Sequence, residues 1–135
     1  MNKTIPFIEE IFSQLGAAAD TRILAEIHEG EITGVTGNEL LELVRKARTF
    51  IASKHLQKGD RCGLLAANSI RWVAMDLALM AEGLIVVPLY SRQAPAELIA
   101  MSPTLSVPKL LATLTEAPVV ESSAKIEPLA VCAEA

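Results

Sequence analysis

The stretch that most constrains the fold runs from Lys58 to Tyr90, "KGDRCGLLAANSIRWVAMDLALMAEGLIVVPLY". It opens on a tight turn in which Gly59 is free to take a positive φ and Asp60 can bond back to its own turn. "CGLLAA" then reads as a short buried strand. Asn68 or Ser69 can cap the helix that follows, which runs to about Glu82 and ends at Gly83, a residue suited to a left-handed C-terminal cap. "LIVVPL" reads as a second buried strand. Apolar strand, capped helix and apolar strand within about 30 residues have the proportions of a βαβ unit, whose strands lie parallel. The fold class that follows is α/β, a partial parallel sheet with flanking helices.

The helix of this unit adds a second constraint. At the helical period, Ile70, Val73, Ala74, Leu77 and Ala81 form one apolar face, and Trp72, Met75 and Leu79 form another. Two apolar faces ask for two partners. A sheet covers one, and the other calls for a further layer beyond what a chain this short supplies. The expectation is an apolar face left uncovered.

Upstream, "TIPFIEEIFSQLGAAA" places Pro6 at the tolerated first turn of a helix, with Phe7, Ile8, Ile11, Phe12, Leu15 and Ala18 within one broad arc. "TRILAEIHEGEITGVT" reads as a β-hairpin around Glu29-Gly30-Glu31. "TGNELLELVRKARTFIASKH" begins with Thr36 and Glu39, the spacing at which two side chains satisfy the free N–H groups of a helix start. Leu40, Leu43, Val44, Ala47, Phe50 and Ile51 line one face of that helix, and Glu42 is placed to pair with Lys46 one turn on.

Beyond Met101 the text changes. All seven Gly and all five aromatic residues lie before position 91, whereas four of the seven Pro fall between Pro103 and Pro128. "SVPKLLATLTEA" predicts one short helix after Pro108, "APVV" a strand, and "ESSAKIEPLAVCAEA" a weakly ordered end. The chain therefore divides into residues 1–101 and a divergent, Pro-containing tail, 102–135. No internal repeat is visible.

Composition excludes several function classes. The 51% hydrophobic content of 135 residues suffices for a single core. A net charge of -4, with no run of basic residues longer than two, speaks against nucleic acid. The longest apolar stretch, "GLIVVPLY", falls far short of the roughly 18 residues a membrane span needs, so no transmembrane segment is expected. Glu9 and Glu10 interrupt the block where a secretory signal would be apolar, and a cytoplasmic location is the expectation. Cys62 and Cys132, far apart, suggest neither a disulfide framework nor a CxxC metal site.

Single residues give no reactive constellation. Asp60 and Arg61 read as turn residues, and Trp72 reads as a packing anchor rather than a ring stacked on a base. Asp76 has no acidic or His companion at metal-ligand spacing and reads as an exposed or helix-flanking carboxylate. His28 beside the hairpin turn and His55 at a helix end lack the Ser or Cys and acid that would complete a nucleophile arrangement. No residue is assigned as catalytic, cofactor-binding or metal-binding.

From Thr36 to about Met101 the order of elements resembles the start of the adenylate-forming acyl-CoA synthetases, the AMP-binding enzyme superfamily. The Thr-x-x-Glu-Leu helix start, "KGDR", a short apolar strand, "NSIRWVAMDLAL", a Gly, "VVPLY" and "PAEL" follow one another as in those enzymes. The Trp72 and Asp76 spacing with Val87-Pro88-Leu89-Tyr90 looks most like the long-chain fatty-acid branch. The resemblance implies a two-step ligase that uses ATP, Mg²⁺ and CoA, forming acyl-AMP and then acyl-CoA. It also implies a Ser/Thr/Gly-rich phosphate loop ending in Lys-Gly and a catalytic Lys in a small C-terminal domain, and neither maps onto this chain. No Gly remains after Gly83 from which such a loop could be built. The expectation is an N-terminal fragment, from a truncated gene, a shifted frame or engineering, inactive and without cofactor by itself. The alternative is a short noncatalytic α/β interaction protein, whose apolar face takes a second copy or another partner; in a fragment that face takes the remainder of the ligase.

Overall fold

The computed structural model describes residues 6–89, Arg92, Glu97, and the strand segments Lys109–Ala112 and Pro128–Ala130. The elements in chain order are α1 (Phe7–Ala17), β1 (Arg22–His28), β2 (Glu31–Thr36), α2 (Gly37–Ala52), β3 (Arg61–Leu65), α3 (Ile70–Ala81), β4 (Ile85–Leu89), β5 (Lys109–Ala112) and β6 (Pro128–Ala130). They fall into two compact units. Among the described residues, those up to His55 with Asn68–Glu82 form one, and Leu56–Ala67 with those from Gly83 onward form the other.

The first unit is helical, with a hairpin. Thr36 caps α2 as its spacing to Glu39 predicts: the Glu39 N–H donates to Thr36 Oγ1 at 3.2 Å, and the Thr36 N–H donates to Glu39 Oε2 at 2.8 Å. Such a box is worth about 0.5–2 kcal/mol to the helix. The next N–H groups of α2 reach the turn after α1, Gly37 donating to the Ala18 and Thr21 carbonyls and Asn38 to that of Ala19. That closeness demands glycine at 37. A Cβ there would lie within 2.6 Å of the Ala18 carbonyl oxygen and closer still to that of Leu15.

Leu40, Val44 and Ile51 of α2 are buried, as are Ile70, Ala74, Met75, Leu77, Ala78 and Leu79 of α3, and the two helices pack together. This corrects in part the expectation of an uncovered second face on α3: of the three residues that define it, Met75 and Leu79 are 7% and 0% exposed, and Trp72 is half-buried. A hairpin and two further helices in the same unit give α3 more neighbours than a lone βαβ reading allows. Among the described residues the large exposed apolar side chains lie elsewhere, at Phe7 on α1, at Ile85, and at Ile27 and Ile32, which face each other across the hairpin. α1, although amphipathic in sequence, buries none of its residues completely.

β1 and β2 pair antiparallel through a two-residue turn, Glu29-Gly30, with φ of 50° and 85°. Positive φ at both positions is the sign pattern of the type I′ turn, whose twist matches that of the strands. On α2, Glu42 pairs with Arg45 rather than with Lys46, through contacts of 2.9 and 2.6 Å. The planar guanidinium offers two parallel donors to one carboxylate, which an ammonium cannot. This pairing holds the Glu42 carboxyl below its ordinary range.

The second unit is a four-stranded sheet in the order β4-β3-β5-β6, every neighbouring pair parallel. β3 lies inside it with Cys62, Gly63 and Leu64 buried. β3 and β4 are parallel strands joined through α3, as the βαβ pattern requires. β4, expected to be buried, is the edge strand instead, and Ile85 is 47% exposed. An edge is also where Pro88, which has no N–H to donate, is tolerated.

One reading of the tail needs correction. Lys109–Ala112, expected as the start of a short helix, is a strand paired with β3, Leu111 opposite Leu64. Pro128–Ala130, within the end read as weakly ordered, forms a strand paired with β5. An apolar run as short as "KLL" has no distinguishing period, and pairing with a distant strand decides it. The "APVV" segment lies outside the described residues.

Candidate functional site

The charged turn Gln57–Asp60 of the family-like stretch has the geometry of a clasp. The Gln57 N–H donates to Asp60 Oδ2 at 2.9 Å, and the Asp60 N–H donates to the Gln57 carbonyl at 3.0 Å. Across the sheet, Gly59 N–H donates to the Gly83 carbonyl and Ile85 N–H to the Asp60 carbonyl, both at 2.9 Å. Gly59 and Gly83 take φ of 85° and 76°, the left-handed region that favours glycine. The stem of Lys58 lies over Gly83, where an added Cβ would come within 3.1 Å of Lys58 Cγ. Asp60 thus closes a turn that fixes where β3 and β4 begin. Arg61 is exposed at the first position of β3, opposite Ile85.

The remaining singled-out residues do not converge. Ser69 caps α3, its Oγ accepting from the Trp72 N–H at 3.1 Å, and the Trp72 side chain is half-buried. Asp76, on the same helix, is half-buried without a hydrogen-bond or ion-pair partner among the described residues. That burial raises its carboxyl above its ordinary value. His28 is exposed and lies 3.4 Å from Glu26 Oε1. His55 follows α2 with a φ of 54°, an uncommon conformation in which His is nonetheless enriched. Cys62 is buried in β3, and Cys132 lies outside the described residues.

Among the polar residues missed by the sequence reading is one that caps a helix. Glu26, on β1, reaches the start of α3 and accepts the Ile70 N–H on Oε2 at 2.7 Å. Glu26 and Ser69 between them satisfy two of the open N–H groups of α3. A bond across 44 residues leaves no local spacing by which to find it.

Among the described residues no group of three His, Cys, Asp or Glu side chains gathers to hold a metal ion. No helix among the described residues is long and apolar enough to cross a membrane. What the arrangement does is frame a scaffold: a clasped turn, a doubly capped helix and a parallel sheet.

Comparison with known proteins gives that scaffold relatives. A family model described as AMP-binding enzyme matches residues 13–133. The long-chain-fatty-acid–CoA ligase FadD15 of Mycobacterium bovis is 32% identical over 71 residues, which take in 53% of this chain and 12% of that ligase. The mitochondrial medium-chain acyl-CoA ligase ACSF2 of Bos taurus is 43% identical over 53 residues, 39% of this chain and 9% of that one. The chain thus spans a small part of the length of the curated relatives it matches. Among solved structures, the N-terminal subdomain of NpsA from Klebsiella oxytoca has a TM-score of 0.72 at 18% identity, over 89% of this chain and 30% of that one, a likeness of fold.

Proposed function

The chain belongs to the AMP-binding enzyme family, and from that premise we propose that it builds the N-terminal portion of a carboxylate–CoA ligase for fatty acids. In the whole enzyme a carboxylate oxygen attacks the α-phosphate of ATP and pyrophosphate leaves. The CoA thiol then attacks the acyl carbonyl of the acyl-AMP and AMP leaves. The observation that carries the reading is the family match across residues 13–133. The names of the two ligases, one long-chain and one medium-chain, favour a fatty acyl substrate.

The chain by itself is proposed to be inactive. Phosphoryl chemistry rests on positioning and on charge neutralisation by backbone N–H groups and cations. Gly30 sits in the hairpin turn, Gly37 in the contact after α1, and Gly59 and Gly83 in the clasp. Exchange of labelled pyrophosphate into ATP, run with long- and medium-chain fatty acids, tests this. The expected outcome is background exchange with either acid, and fatty-acid-dependent exchange above background would show a phosphate site where none is proposed.

A second reading, a noncatalytic interaction protein, is favoured by one observation. Ile27 and Ile32, 70% and 66% exposed, face each other across the hairpin as an apolar pair, and Phe7 is 71% exposed. Concentration-dependent sedimentation, with no fatty-acid-dependent exchange, is its signature.

A further inference from the structure

We draw no further inference here: the strongest candidate, the exposed Ile27–Ile32 pair on the β1–β2 hairpin, is an unpartnered apolar patch, and nothing in the structure shows what covers it.

Discussion

Gly37 shows how much one missing methyl group can decide. It opens α2, where alanine would ordinarily gain up to about 1 kcal/mol in helix propensity. Against that gain stand the carbonyl oxygens of Leu15 and Ala18, which an added Cβ would strike. The Ala18 oxygen already accepts from Gly37 and Thr21, so it cannot retreat without giving up those bonds. Overpacking of this kind costs about 1–3 kcal/mol, and the clash wins. Gly37→Ala is expected to lower the urea midpoint with an unchanged m-value. Asp76 makes the opposite case, a side chain the fold would do better without. Burial raises its carboxyl above the ordinary 3.8, so between that pH and its folded value the native state holds more of the proton than the unfolded state. Its contribution to stability therefore falls as pH rises through that window, and above it the penalty is constant. Asp76→Asn is expected to be more stable than the parent at pH 7, and the gap between their thermal midpoints should close as the pH is brought below 3.8. A gap that persists in acid would place the effect in packing.

At the scale of elements, the start of α3 is held from a distance. Glu26 supplies a charged acceptor to the Ile70 N–H at the positive end of the helix dipole. Hydrogen bonds to charged groups are worth about 1.5–3 kcal/mol net, whereas the exposed His28 contact on the same carboxylate adds under about 1 kcal/mol. Glu26→Ala is expected to cost about 1.5–3 kcal/mol and to speed amide exchange at Ile70. Glu26→Gln, which keeps an acceptor but loses the charge, should fall between. Equal losses in the two variants would mean that charge matters and the hydrogen bond does not. The contrast with α2 shows what a sequence makes legible. Thr36 and Glu39 lie three residues apart and announce their helix start, and Ser69 before Ile70 does the same for α3. Glu26 belongs to the same kind of device, yet 44 residues separate it from its partner and only the folded chain joins them. Lys109–Ala112 is illegible for the same reason. Its strand character comes from lying beside β3, not from its own four residues.

Across the whole molecule, the family was readable because it resides in the order of several modest signals: a capping box, the "KGDR" turn, a capped helix and a Val-Val-Pro strand. No one of them is specific alone. The layering was less readable, because which apolar faces find cover depends on neighbours that periodicity does not name, and Met75 and Leu79 of α3 proved covered where Ile27 and Ile32 did not. Charge placement then bears on the chemistry. Helix N-termini are ready anion sites, and each of the three described helices has a carboxylate at its own: Glu9 and Glu10 in the first turn of α1, Glu39 in that of α2, and Glu26 bonded to the first N–H of α3. A triphosphate approaching any of these ends meets like charge and N–H groups already engaged at α2 and α3. Ligand present at a hundred times its Kd would raise stability by about 2.7 kcal/mol, a shift of several degrees for a domain of this size. Millimolar MgATP is therefore expected to leave the thermal midpoint of the 135-residue chain where it is. A saturable rise that depends on both nucleotide and metal would locate a phosphate cradle in this chain and overturn the proposal that it is a scaffold without chemistry of its own.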